Sequence, residues 1–380
     1  MTELSHNYEQ QLLKNLALLT SSKDINELKE ILINVDHEKI HEVAIKHGVA
    51  SLIYQNLKGT IVATDFPKFI QKLSSYYNNY KILNNFIDSE ATTALKILKK
   101  QKIDVVVLKG FSLAYQVYSE ANLRPKSDVD ILIKATDKEA VKQIFQELGY
   151  SNPRGWEPRA IIKQFSYKKT LGKGINVFFD IHLKISNNKP LENILNYQEL
   201  LKASDGVTLP NINLINKPYA LSHAVFHLLG HKAANDTVKL IWYYDIYLLV
   251  KTISGNERQE LTILMYNTGL ANLMAQTLKL TAQYFPSDKL TLLLNELKRV
   301  PFDNSYNYLL GSTNGVKGLW LTIQATDNLK EKIEVVKETI FPPPAEIYVK
   351  YGKHTKWPLS VLYIRRIISG TLKNILLKFK

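Results

Sequence analysis

The 380-residue sequence has no cysteine. Disulfides and thiolate metal sites are therefore excluded, and no disulfide-linked partner is expected. The absence fits a reducing compartment, so a cytoplasmic location is expected. Long apolar runs are missing too: no window reaches the roughly 18 uncharged apolar residues that a spanning helix needs. The opening MTELSHNYEQQLLKNL lacks the unbroken apolar stretch of a secretory signal. At most, then, the chain is expected to be peripheral to a membrane. There is no Gly/Ser-rich linker, low-complexity tract or reliable repeat, so domain limits must be read from changes of pattern. Acidic residues are absent from Lys350 to Lys380, where eight basic residues stand. That segment holds more than half of the formal net charge of +14, which leaves the rest only mildly basic. Such a balance favours an anionic partner (nucleotide, nucleic acid or acidic lipid) without choosing among them. What is present in quantity is ordinary for a globular chain, with 45% hydrophobic and 22% charged residues, enough for a large core.

Four regions follow from the patterning. Residues 1–82 read as helical. NYEQQLLKNLALL and INELKEILINV place apolar residues three and four apart, and EKIHEVAIKHGVASLIYQNL reads as two helices hinged at Gly48. A long amphipathic stretch runs from about Pro67 to Lys100. Residues 83–207 change character. DVVVLKG is a buried strand ending in a glycine turn, FSLAYQVYS a helix and SDVDILIK a second strand. DKEAVKQIFQELGY reads as a helix capped by Asp137 and ended by Gly149, and IKQFSYKKT with INVFFDIHLKI as a hairpin across LGKG. Residues 208–340 are helical again, with Pro218 starting one helix and the stretch Asn235 to Thr237 capping VKLIWYYDIYLLVK. Within 341–380, FPPPAEIYVKYG reads as a rigid break before a basic amphipathic tail. The expected fold class is α+β, a small mixed sheet with helices flanked by N- and C-terminal helical regions.

The chemistry concentrates in VVLKGFSLAYQVYSEANLRPKSDVDILIK, residues Val106 to Lys134. Side chains alternate along a strand, so Asp128 and Asp130 share a face while Val129, Ile131 and Ile133 face the core. Two carboxylates on one face repel each other unless a cation lies between them. Close oxygen ligands suit Mg²⁺, with Mn²⁺ as a substitute. A two-metal phosphoryl-transfer site commonly uses a third carboxylate, and Asp180 in VFFDIHLK is the best candidate. His182 shares its face and is expected to orient Asp180 or to bind substrate, with a plain hydrogen-bonded strand histidine as the other reading. Gly110, between strand and helix, lets the backbone approach a phosphate. Ser112 adds a hydroxyl, and Lys109 and Arg124 offer positive charge to a triphosphate. The turn is neither a Walker loop nor a dinucleotide fingerprint.

Strand, glycine turn, helix, D-x-D on the next strand and a distal Asp on a third resemble the DNA polymerase beta-type nucleotidyltransferase superfamily. The closer resemblance is to the bacterial uncharacterised nucleotidyltransferase family. Its L-K-G-x-x-L-A segment is similar to Leu108–Ala114, followed by a tyrosine best matched to Tyr118. Its R-x-x-x-D-x-D-L segment is similar to Arg124–Ile131, and its D-x-H to Asp180–His182. AIKHGVASLIYQNL and HAVFHLLGHKAANDTVKLIWYYDIYLLV extend the likeness to about residue 250. The resemblance implies that Asp128, Asp130 and Asp180 hold metal ions. It also implies that the chain moves a nucleoside monophosphate from an NTP such as ATP to an acceptor hydroxyl or phosphate. In related members the third acid also accepts the proton of the attacking hydroxyl. The usual paired Gly-Gly or Gly-Ser is here Gly110-Phe111. Two other readings fit the same motifs: an inactive nucleotide-binding scaffold, and an RNA-directed transferase favoured by the charge.

His223, His227 and His231 recur every four residues on one helix stripe. Zinc could use that spacing, but the H-E-x-x-H pattern is absent, and the favoured expectation is that one or two of them line the cleft or hydrogen-bond within a helix pair. Asp245 in its apolar aromatic helix is expected to satisfy a neighbour such as a histidine or a backbone donor. Trp242, Tyr243 and Tyr244 are read as core packing ahead of base stacking. The tail puts Ile364, Ile368, Leu372, Ile375 and Phe379 on one stripe, with Arg365, Arg366, Lys373 and Lys378 elsewhere. A helix of this kind can lie on anionic lipid, pack on its own domain or grip nucleic acid.

Overall fold

The computed structural model describes residues 22–376 apart from 154, 156, 206–211, 235, 311–314 and 352–356. The expected helix over residues 7–19 lies outside the described residues, as do Lys378 and Phe379. The architecture is α+β. One mixed sheet is formed by β1 (Val105–Leu108), β2 (Val129–Ile133), β3 (Gln164–Thr170), β4 (Asn176–His182), β5 (Ser204–Asp205) and β6 (Leu214–Ile215). Their order across the sheet is β3-β4-β2-β1-β6-β5. β1 and β2 run antiparallel, β2 and β4 parallel, and β3 and β4 form the antiparallel hairpin that the alternating pattern predicts. β5 and β6, two residues each, join the edge through β6 and have no counterpart in the sequence reading.

The period of two splits the sheet between two cores. Val105, Val107, Val129, Ile131, Ile133, Phe179 and Ile181 face one core, which also takes the C-terminal half of helix Pro67–Lys100 and the helix Lys138–Glu147. Val106, Leu108 and Leu132 face the larger core, shared with the N-terminal helices and those between residues 217 and 297. β-Branched residues in β1 and β2 suit strands covered on both faces. The 34-residue helix Pro67–Lys100 binds the two cores together. Its Phe69, Leu73 and Tyr77 enter the larger, and its Ile87, Ala91 and Leu98 the smaller. Because Asp130 lies on the Leu132 face, opposite Ile131, the acids open onto the side of the larger core.

Several local expectations change. Helix Lys217–Ala233 begins as predicted, with Asn216 accepting from the Tyr219 N–H and Pro218 in the first turn. Helix Leu240–Thr252 is not capped by the stretch around Asp236. Its Leu240 N–H donates instead to His47 Nδ1 at 3.2 Å, and Asp236 pairs with His231. The Gly48 hinge, at φ +74°, lies against that helix start, where an added Cβ would stand 3.0 Å from Ile241. Asp137 occupies the capping position of Lys138–Glu147, but its side chain makes no cap bond. Gly149 ends that segment at φ +81°. FPPPAEIYVKYG is not a rigid break: Pro344–Tyr351 is a helix, since a proline in the first turn costs no helical hydrogen bond.

The C-terminal helices Gly315–Gln324, Leu329–Ile340, Pro344–Tyr351 and Leu359–Leu376 follow the larger core. They are tied to the sheet region by charge. Arg159 meets Glu346 at 2.8 Å and Glu338 at 3.2 Å, and Lys189 meets Glu331 at 2.7 Å. Among the described residues no helix is long and apolar enough to cross a membrane.

Candidate active site

Asp130 and Asp180 are direct partners in the parallel pair of β2 and β4, so their side chains leave the sheet side by side, about 5 Å apart at the backbone. Asp128 stands two residues earlier on the same face. All three line one cleft of about 1310 Å³. The loop that delivers Asp128 is pinned by the Tyr80 hydroxyl, which accepts the Lys126 N–H at 2.6 Å.

The three acids have different surroundings. Asp130 is buried, and its Oδ1 receives Lys109 Nζ at 2.5 Å and His182 Nε2 at 2.8 Å. Burial opposes its charge, but Lys109 and His182 outweigh burial and hold the carboxyl well below the usual range. Around Asp128 the balance falls the other way, because the lowering effects of Lys109 and Ser127 are smaller than what opposes them. Burial first, then the charges of Asp130 and Asp180, push Asp128 up to about 6. Asp180 Oδ1 accepts from Ser166 Oγ at 2.6 Å across the hairpin. His182 therefore orients Asp130, not Asp180, and Ser166 is a site residue the sequence reading missed. Its signal was there: on β3 it faces the same way as its register partner Asp180.

At the corner, the left-handed residue is Lys109, with φ +51°, and not Gly110. The resulting helix, Lys109–Gln116, begins with no side-chain cap on its first N–H groups. Gly110 lines the cleft, and an added Cβ there would lie 3.3 Å from the Arg124 guanidinium. Its bareness thus makes room for Arg124. Arg124 is itself engaged: Nε and Nη2 fork onto Asp245 at 2.8 Å each, and the Tyr118 hydroxyl adds a 2.6 Å bond to the same carboxylate. Asp245 thus finds its donors in Arg124 and Tyr118. Ser112 is a correction: it is wholly buried inside the corner helix, accepts from Gln116 Nε2 and does not line the cleft.

The opposite wall comes from Lys217–Ala233. His223, His227 and His231 all line the cleft. Burial keeps His223 down at about 3 and His227 well below its ordinary value, so both stand neutral. His227 and His231 pack on Trp242 with ring centroids 4.8 and 4.6 Å away. Trp242 lines the cleft as well, and so is not purely core. Tyr243 and Tyr244 pack against Tyr284 and Phe285. Among the described residues no three His, Asp or Glu side chains close into a metal cage. The histidine stripe is a ring-packed wall, and the acids form an open set with an ammonium group against its central member.

A family model described as uncharacterised nucleotidyltransferase matches residues 34–286, more than half of the chain. The chain belongs to this family. A search of curated proteins gave no match. In this member of the family the matched span holds the sheet, the three acids, Lys109, Arg124–Asp245 and the histidine wall. The remaining wall of the cleft, from Tyr308 to Thr339, lies outside it.

Proposed function

We propose that the chain transfers a nucleoside monophosphate from an NTP to an acceptor hydroxyl or phosphate, releasing pyrophosphate, with Mg²⁺ or Mn²⁺ held by Asp128, Asp130 and Asp180. The carrying observation is the register Asp130↔Asp180 beside Asp128 at one cleft. Hard oxygen donors suit these ions. The residues fit a cation in a second way: the charge of Asp128 is only partly offset by Lys109 and Ser127, and Lys109 already occupies the positive position beside Asp130. When bound, such ions would neutralise charge gathering on the triphosphate.

The chain's own groups divide the remaining work. Asp180, steadied through one oxygen by Ser166, takes the proton of the attacking hydroxyl. His182 fixes the rotamer of Asp130. Lys109, on a flexible stem, turns from Asp130 to a phosphate oxygen as nucleotide enters, and the uncapped N–H groups of its helix face the same anion. Arg124 supplies its charge already balanced by Asp245, so its role is to shape the corner. The neutral wall of His223, His227 and Trp242 suits a flat, uncharged ring such as a nucleobase. At about 1310 Å³ the cleft exceeds the roughly 300–1,000 Å³ of an ordinary ligand site, which leaves room for NTP and acceptor together. Walled by the helices after residue 315, it favours a small molecule or a chain end over a duplex.

Incubation with each α-labelled NTP and Mg²⁺ or Mn²⁺, with and without cell extract, tests this. Label should move to an acceptor with matching pyrophosphate release, and Asp130→Asn should stop both. No consumption of any NTP under these conditions, with nucleotide binding indifferent to the ion, would defeat the reading.

A further inference from the structure

We propose that the C-terminal helix Leu359–Leu376 docks the protein on a bilayer surface rich in anionic headgroups. The helix is held to the molecule by one face. Leu362 is fully buried, the Tyr363 hydroxyl donates to the Pro342 carbonyl, and Arg366 donates to the Thr339 carbonyl at 3.2 Å. Trp357 stands two residues before the helix, and the opposite face carries Val361, Ile364 and Ile368, at successive steps of three and four, which is a single helical stripe. These side chains are 50%, 38%, 55% and 54% exposed. Phe341, 58% exposed, follows the neighbouring helix Leu329–Ile340 and meets Tyr363, on the held face, edge-on at 5.6 Å. Val361, Ile364 and Ile368 follow one another along the helix, unlike scattered surface apolar residues.

Charge decides the occupant. From Ile347 to Lys380 the sequence has no acidic residue, and eight Lys and Arg stand in that span. Arg365 lies over the rings of Tyr351 and Trp357, at 5.2 and 5.4 Å, so a cation is fixed beside the aromatic end of the stripe. Aliphatic residues in the centre, an indole at one end and cations in a stretch of sequence without acidic residues match the boundary between acyl chains and anionic headgroups. Nucleic acid would meet the cations but has no use for an aliphatic stripe; single strands are held by aromatic stacking instead. Among the described residues no helix is long and apolar enough to cross, so the proposed contact is with the bilayer surface. Since Arg366 bonds Thr339, and Thr339 lines the cleft, docking would hold the cleft next to the bilayer.

The test uses the full chain without nucleotide, so it stands or falls apart from the proposed reaction. The chain is sedimented with vesicles of phosphatidylcholine alone, or of phosphatidylcholine mixed with phosphatidylglycerol. It should pellet with the mixed vesicles and much less with the neutral ones, and added salt should weaken the binding. Ile364→Glu combined with Ile368→Glu should lower the partition coefficient by at least about tenfold. Because both side chains are exposed, the melting temperature should stay unchanged. Sedimentation velocity of the same two chains without vesicles covers the competing occupant. A dimer that the substitutions split, with no vesicle binding by either chain, would give the face to a second copy and overturn the proposal. Equal pelleting of wild type and variant, or no preference for the anionic vesicles, would also overturn it.

Discussion

Asp128→Asn is expected to abolish nucleotidyl transfer while making the protein more stable at neutral pH. Burial, then repulsion from Asp130 and Asp180, raises this carboxyl from its ordinary 3.8 to about 6. A group whose pKa is higher folded than unfolded favours the folded state while it is protonated. Its contribution is present below about pH 3.8 and is lost as pH climbs through about 6. At neutral pH the ionised carboxylate therefore costs on the order of 2 kcal/mol, which asparagine avoids. Melting curves should place the substituted chain above wild type at about pH 7.5 and nearly level with it at about pH 4. The stabilised protein should still fail to transfer label. Lower stability at neutral pH would mean that Asp128 has a compensating partner, and retained transfer would remove it from the site.

Arg124→Ala is expected to be the most damaging single change in the matched region. The guanidinium forks onto Asp245, and both residues are buried. Truncation leaves the carboxylate inside the fold with only the Tyr118 hydroxyl, and breaking one side of such a pair costs about 3–5 kcal/mol. Against a total stability of roughly 5–15 kcal/mol, that brings the chain close to unfolding. Asp245→Ala should cost a similar amount, and the double substitution less than the sum of the two, since each single change strands the other charge. Arg124→Lys should rescue little, because an ammonium cannot make the fork. Urea midpoints would measure all four. A loss below about 1 kcal/mol for Arg124→Ala would show that Asp245 finds another donor or takes up a proton.

The acids were legible because a charge in an apolar strand contradicts its surroundings, and the period of two assigns it a face. Asp128, Asp130 and Asp180 could be placed together from that contradiction alone. The helix limits near Pro67, Lys100 and Gly149 were legible for local reasons of periodicity and turn chemistry. The partners of buried groups were not. Arg124 and Asp245 are separated by 121 positions and His47 and Leu240 by 193, and nothing local in either segment announces the other. Ser112 was misplaced because the corner helix starts at Lys109 and not at Phe111, and that two-residue shift turns the hydroxyl from the cleft to the interior. β5 and β6 are too short to carry a pattern. In the tail the apolar stripe could be read, but only packing shows that Leu362 and Arg366 face inward and Ile364 and Ile368 outward.

The central claim is that three carboxylates, two on neighbouring strands and one on the loop leading into β2, act as one cation and nucleotide site. Manganese titration followed by electron paramagnetic resonance, with a non-hydrolysable NTP analogue present, tests it most directly. Wild type should bind Mn²⁺ tightly with the analogue and weakly without it, and Asp180→Asn should lose the tight binding while keeping its melting temperature within a few degrees. Tight Mn²⁺ binding that is unchanged by Asp180→Asn, or absent from wild type, would contradict the account.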